Sequence, residues 1–281
     1  MRVTIKEIQD MKRRGEKIPV LTAYDYTTAR ILDDAGIPLL LVGDSLGQVV
    51  LGYDSTVPVT MDEMVHHIRA VVRGARKAHV VGDMPFMSFQ ADETDAVRNA
   101  GRMLKEGGCQ SVKLEGGRHV AGTVSRIVQA GIPVMGHIGL TPQAVNQLGG
   151  YRVQGKTSDS ARRLMEDAVA LQKAGAYSVV IELVPAPLAE LISKRVTIPT
   201  IGIGAGAGCD GQVQVLHDML GLFDDFVPKH TRRFAQLGAG IRSAVEEYIG
   251  DVQATTFPSD DESFQMEQRV VEELEAATSR P

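Results

Sequence analysis

Lys113 and Glu115 stand two residues apart in Ser111-Val-Lys-Leu-Glu-Gly-Gly117, an otherwise apolar run that ends in glycine. On a strand both point to one face, while Val112 and Leu114 point to the other. Burying such a pair is costly unless each member has a partner or a task. A cation and a carboxylate at the carboxyl end of a strand suit an anionic substrate held beside a metal. They equally suit a structural ion pair in a barrel core. Other strand-like runs end in the same way, at Asp25, at Asp44 and Ser45, at Asp83, at His137 and at Glu182. Four or five carboxylates converging on one mouth would repel one another and call for a cation. Their oxygens are hard ligands, which suits Mg²⁺. No CxxC, HxxxH or other zinc spacing occurs. His66, His67 and His217 read as surface or packing residues.

These side chains share a site only if the strands that carry them lie side by side. The chain alternates accordingly. Strands are expected at 18–25, 38–45, 79–83, 111–115, 132–137, 177–182 and 199–204, with an eighth at Asp225-Phe-Val227. Helices are expected over 26–35, 61–77, 93–105, 119–130, 159–173, 186–194, 212–220 and 234–248. Pro38-Leu-Leu-Leu-Val42 is unbroken apolar sequence, as in a strand covered on both faces. Regular βα alternation implies a parallel sheet with right-handed crossovers. Eight units in one stretch fit a closed α/β (β/α)8 TIM barrel, whose active site lies at the carboxyl ends of the strands. An open doubly wound sheet is the competitor. The glycine run Gly202-Ile-Gly-Ala-Gly-Ala-Gly208 sits at the seventh strand, away from the first βα turn that a dinucleotide site uses. It reads as a tight turn at the barrel mouth. Residues 4 to 14 form an amphipathic helix, with Thr4 and Glu7 in a capping-box pattern and Ile5, Ile8 and Met11 as one stripe. This N-terminal capping helix can plug the amino-terminal end of the barrel.

The 281 residues, 43% hydrophobic, can bury a large core, and the net charge of -5 argues against a nucleic-acid surface. Cys109 and Cys209 make no disulfide framework. There is no apolar signal core and no run long enough to span a membrane. A soluble, cytoplasmic protein is expected. Residues 1–250 read as a single catalytic barrel domain and 251–281 as a polar C-terminal tail. Phe264, Val271 and Leu274 line one face of a terminal helix in that tail, which can dock on a neighbouring subunit.

Several segments go beyond pattern. Leu21-Thr-Ala-Tyr-Asp25, Val42-Gly-Asp-Ser-Leu-Gly47, Asp54-Ser-Thr-Val-Pro-Val-Thr60, Asp83-Met-Pro-Phe86, Val112-Lys-Leu-Glu-Gly-Gly117, Met135-Gly-His-Ile-Gly-Leu-Thr-Pro-Gln143, Ile201-Gly-Ile-Gly-Ala-Gly206 and Cys209-Asp-Gly-Gln212 stand in this order. Together they closely resemble the ketopantoate hydroxymethyltransferase family, from about Thr4 to Gly250. The resemblance implies a metal site of Asp44, Asp83 and Glu115 for Mg²⁺. It implies substrate contacts from Asp44, Ser45, Asp83 and Lys113, and a proton acceptor in Glu182. It also implies a homo-oligomer, commonly a decamer of two pentamers, with 5,10-methylenetetrahydrofolate as co-substrate. The family tends to read E-C-V-P where this chain reads Glu182-Leu-Val-Pro185. It often has an aromatic after the lysine where this chain reads Pro228-Lys-His230.

The implied chemistry uses these residue types well. A 2-oxo acid chelates Mg²⁺ through its keto and carboxylate oxygens, and the metal stabilises the enolate. Lys113 neutralises the carboxylate, Glu182 removes the C3 proton, and the enolate attacks the one-carbon unit of the folate. His137 is expected to touch substrate or order the site, and Asp25 to support it from behind. The competing enzyme is a Mg²⁺-dependent lyase or mutase of the isocitrate lyase/phosphoenolpyruvate mutase type. Such lyases carry a cysteine in a mobile loop, whereas Cys109 precedes the fourth strand. A non-catalytic oligomeric scaffold would show erosion of the strand-end acids, and Asp44, Asp83, Glu115 and Glu182 are all present.

Overall fold

Alternation along the strands decides what the interior holds. Leu39 and Leu41 pack in one buried cluster while Leu40 and Val42 pack in another. The first cluster, with Val20, Val81, Met135, Val180 and Val213, fills the inside of a barrel. The second lies between the strands and the helices around them. The structure, a computed structural model, describes residues 1–278.

The strands are β1 (Ile18–Thr22), β2 (Leu39–Val42), β3 (His79–Asp83), β4 (Ser111–Glu115), β5 (Val134–Gly139), β6 (Ser178–Glu182), β7 (Thr200–Ile203) and β8 (Gly211–Gln214). They close into a barrel in sequence order, every neighbouring pair parallel, with β1 beside β8. The helices are α1 (Ile5–Arg14), α2 (Tyr26–Asp34), α3 (Leu46–Val49), α4 (Met61–Gly74), α5 (Glu93–Arg102), α6 (Ala121–Gln129), α7 (Val145–Leu148), α8 (Ser158–Lys173), α9 (Ala186–Arg195), α10 (Leu216–Leu220), α11 (Leu237–Gln253) and α12 (Gln268–Thr278). This is the expected (β/α)8 barrel.

Thr4 caps α1 by accepting from the Glu7 amide, but the Glu7 carboxylate turns to Arg14, so the capping box is only half formed. Ile8 is fully buried and joins the interior cluster from below, with Ile5 and Met11 beside it. The helix therefore closes the amino-terminal end of the barrel. Lys12 on its far side donates to the carbonyls of Ser193, Val196 and Ile198 and pairs with Asp210, tying the plug to the end of α9.

Two expectations are corrected. The eighth strand is Gly211–Gln214, and Asp225-Phe-Val227 forms no strand. Asp210 accepts from the Thr200 amide and hydroxyl, which draws Gly211 between Ile201 and Ile18. Only Val213 of that strand turns an apolar side chain inward, so the sequence shows little of it. The helix expected over 234–248 runs instead over Leu237–Gln253 as α11, and it has no buried residue. Of the apolar tail face, Val271 and Leu274 lie on α12, while Phe264 precedes it and is fully exposed.

Candidate active site

The inward parity of each strand carries the chemistry to one end. Ser111, Lys113 and Glu115 share the inner face of β4, as do His79, Val81 and Asp83 on β3. The register sets Asp83 beside Lys113, and Glu115 beside His137. Gly139 sits opposite Glu182 with φ 96°, and a Cβ there would lie 2.2 Å from the Glu182 carbonyl oxygen. Glycine is thus what lets β5 approach the end of β6 and set Glu182. The next residue, Leu183, adopts a left-handed φ of 45°, held by its amide on Ile203 O and its carbonyl under Gln154 N. A bulky residue there stores on the order of 1–3 kcal/mol of strain beside the site.

Lys113 does not pair with its strand neighbour Glu115. Its Nζ donates to both carboxylate oxygens of Asp83, at 2.7 and 2.8 Å, with both side chains almost fully buried. Burial alone would favour loss of the lysine proton, but Asp83, Glu115 and Asp44 outweigh it and raise its pKa above the ordinary value. Asp83 Oδ2 also accepts from the Asp44 amide at 3.2 Å. Burial, and then the neighbouring Asp83, lift the Asp44 carboxyl well above the usual range. His137 lies between two carboxylates, Nδ1 at 3.4 Å from Glu115 and Nε2 at 3.2 Å from Glu182. Neither contact has the alignment of a hydrogen bond. Burial and Lys113 oppose protonation of His137, yet the two glutamates raise it to about 9. Ser45 Oγ meets Tyr24 OH at 2.8 Å. All of these except Tyr24 line one cavity of about 1030 Å³ at the barrel mouth.

The structure thus brings together Asp44, Ser45, Asp83, Lys113, Glu115, His137 and Glu182. It does not bring Asp25 there. That carboxylate is exposed and caps α2, accepting from the Thr28 amide and hydroxyl. The expectation that it backs the site is therefore wrong: the strand had already ended at Thr22. Gln143, a neutral side chain beyond the end of β5, is not among the site residues expected from the sequence. It is buried, and its Nε2 donates to Asp44 Oδ2 and Met84 O, both at 2.9 Å. Its backbone amide donates to Glu115 Oε2 at 3.1 Å, and its own Oε1 accepts from Gln90. One residue therefore holds two of the acids, Asp44 through its side chain and Glu115 through its backbone amide. Its only sequence signal was its place at the end of the Met135–Gln143 segment.

Among the described residues no three His, Cys, Asp or Glu side chains already enclose a metal position, and Asp83 is turned onto Lys113. The donor chemistry still fits a hard cation. Four carboxylates face two cationic side chains, Glu115 Oε1 is buried without a hydrogen bond, and Asp44 is pushed towards its neutral form. A divalent cation would relieve all three.

A parallel barrel with acids, a lysine and a histidine at its strand ends belongs to the class of enzymes that work at such a mouth. Solved structures agree on the fold. A phosphonopyruvate hydrolase aligns with TM-score 0.62 over 100% of this chain and 99% of its own, at 11% identity. A 2,3-dimethylmalate lyase aligns with TM-score 0.58 over 99% and 98%, at 16% identity. The family model described as ketopantoate hydroxymethyltransferase matches residues 2–260. Proteins named 3-methyl-2-oxobutanoate hydroxymethyltransferase are similar along nearly the whole chain. That of Chloroflexus aggregans is 62% identical, covering 95% of both chains, and that of Dehalococcoides mccartyi strain CBDB1 is 60% identical, covering 98% of both. The chain belongs to the ketopantoate hydroxymethyltransferase family.

Proposed function

We propose that this protein transfers a hydroxymethyl group from 5,10-methylenetetrahydrofolate to 3-methyl-2-oxobutanoate, giving 2-dehydropantoate and tetrahydrofolate, as the first committed step of pantothenate synthesis. Family membership supports the reaction. The observation that carries its mechanism is a carboxylate at the cavity wall that the other acids do not engage. The Glu182 side chain is 15% exposed to the mouth, against 2% for Asp83, and touches only His137 within the cluster. Asp44, Asp83 and Glu115 would hold Mg²⁺, which supplies Lewis-acid polarisation of the keto group and charge stabilisation of the enolate. Lys113, kept cationic by Asp83, lies where it can neutralise the substrate carboxylate. Ser45, with Tyr24 behind it, offers a hydroxyl to the same end of the substrate. Glu182 takes the C3 proton, and His137 holds that carboxylate in place between strands β5 and β6. Once C3 is a carbanion equivalent, its bond to the folate methylene carbon forms as one of the two methylene–nitrogen bonds breaks, and the freed nitrogen takes up a proton. Water then attacks the methylene carbon as the second methylene–nitrogen bond breaks, its hydroxyl staying on the product and its proton passing to the departing tetrahydrofolate nitrogen.

Residues 1–250 act as the catalytic unit and 251–281 as a tail. The cytoplasm is the setting that goes with a biosynthetic enzyme. Among the described residues no helix is long and apolar enough to cross a membrane. Assembly into a decamer of two pentamers accords with α11, which exposes Ile241, Val245, Tyr248, Ile249 and Val252 and buries none of its residues.

The test follows the C3 proton of 3-methyl-2-oxobutanoate in heavy water by NMR, with and without Mg²⁺. Metal-dependent exchange that disappears in Glu182→Gln, and product formation when the folate is added, are expected. Exchange that survives in the variant would move the base elsewhere, to His137 first. No exchange under any condition would overturn the transferase reading.

A further inference from the structure

The acids and Lys113 occupy only one side of the mouth, contributed by β2 to β6. The cavity of about 1030 Å³ is far larger than a five-carbon 2-oxo acid fills, and is of the size that takes drug-sized ligands. Its other side is built by the ends of β7, β8 and β1 and by residues 223–230 of the following loop. That wall holds one buried acid, Asp218 on α10, which the chemistry above does not use. Its side chain lines the cavity, the residue is only 7% exposed, and its carboxylate makes no hydrogen bond or ion pair among the described residues. Its element is well fixed, since the Leu216 amide at the start of α10 donates to Thr22 Oγ1 at the end of β1. The same wall carries apolar and flat surfaces, including Phe223, Phe226 and Pro228.

We propose that Asp218 binds the 2-amino-4-oxopyrimidine face of the reduced pterin in the folate co-substrate, accepting from its ring N–H and exocyclic amino group. This rests on the folate-dependent reading above and assigns its second substrate a place. The Asp218 carboxylate opens to the cavity with no protein donor on it among the described residues, and a ligand presenting two parallel N–H groups meets it as a bidentate, charge-assisted pair. The flanking rings accept the flat heterocycle by stacking. Burial pushes the Asp218 carboxyl up to about 6, with Arg233 opposing. It therefore carries its negative charge near neutral pH. The pterin so placed lies across the mouth from Glu182, with the one-carbon unit between the two walls.

The experiment measures tetrahydrofolate binding to the full-length protein by calorimetry, for wild type and Asp218→Asn. In parallel, wild type is titrated with a 2-desamino-2-methyl analogue of tetrahydrofolate and with guanosine. Loss of the charged acceptor is expected to weaken tetrahydrofolate binding roughly 10- to 100-fold. The analogue, which keeps the ring N–H but lacks the amino donor, should also bind wild type more weakly. Its further loss on the variant should be smaller than on wild type, because both changes act on one bidentate pair. The analogue arm needs no altered protein, so a folding defect in Asp218→Asn cannot mask the result. Tetrahydrofolate binding that is equal in wild type and Asp218→Asn, or an undiminished analogue, would overturn the assignment of Asp218 and leave the transferase reading standing. Guanosine binding more tightly than tetrahydrofolate would overturn the pterin as occupant. A wild type that neither binds tetrahydrofolate nor exchanges the C3 proton would sink both.

Discussion

At the scale of single residues, the site works by sharing few positive charges among several acids. Lys113 is committed to Asp83, His137 bridges Glu115 and Glu182, and Gln143 steadies Asp44 and Glu115 without adding charge. Glu182→Gln keeps the shape and removes the base, so kcat should fall about 10²- to 10⁴-fold with little change in the fold. Steady-state kinetics and thermal melts on the same preparation check both halves. Gln143→Leu keeps the volume but withdraws the Nε2 donor from Asp44. Loss of a group that orients a metal-binding acid typically costs 10–100-fold in metal affinity. Calorimetric titration of the variant with Mg²⁺ should show a weakening of about that size, and unaltered affinity would mean that Asp44 is held without it.

At the scale of elements, the two ends of the strands divide their tasks. At the amino-terminal end, His79 Nε2 contacts Ser111 Oγ at 2.8 Å and Ser111 contacts Tyr177 OH at 3.0 Å, joining β3, β4 and the approach to β6. Burial lowers the His79 pKa to about 4. The folded chain therefore holds this histidine neutral where the unfolded chain, with a value near 6.5, takes up a proton. Its stabilising contribution is complete above pH 6.5 and is lost as pH falls through the window down to about 4. The loss amounts to about 3 kcal/mol. Urea unfolding at pH 7.5 and 4.5 should show a drop in stability that is smaller in His79→Asn. At the other end, Gly139→Ala would drive a methyl group into the Glu182 carbonyl oxygen and force a left-handed φ on alanine. A destabilisation of at least about 2 kcal/mol is expected, together with loss of activity. Denaturant midpoints and kinetics check it.

At the scale of the whole molecule, the barrel is closed by its own strands but not covered by its own last long helix. α11 carries an apolar stripe at helical spacing that stays largely exposed, with Tyr248 meeting the ring of Phe257 at 5.6 Å. Such a face is expected to be buried in an assembly of several chains. Light scattering after size exclusion should give a mass several times the 30.3 kDa of one chain. Ile241→Asp combined with Val245→Asp should reduce it. A wild-type chain that is monomeric at micromolar concentration would contradict this.

Most of the barrel was legible from local signals. The unbroken apolar run of β2, the parity of Lys113 and Glu115, and Gly36 closing the helix that ends at Ala35 each follow from neighbouring residues alone. β8 was not legible, because its inward face offers one valine and its place depends on Asp210 reaching Thr200. Asp25 was misread because a strand that stops three residues early turns a mouth residue into a helix cap. By itself the sequence determined the alternation of strands and helices, the identity of the strand-end acids, and the family. Only the tertiary structure decided which acid pairs with Lys113, that Gln143 bridges two acids, and that Asp218 lines the opposite wall of the cavity. Those depend on register and on loops from distant parts of the chain meeting at the mouth, where side-chain distances set the energies and residue types do not.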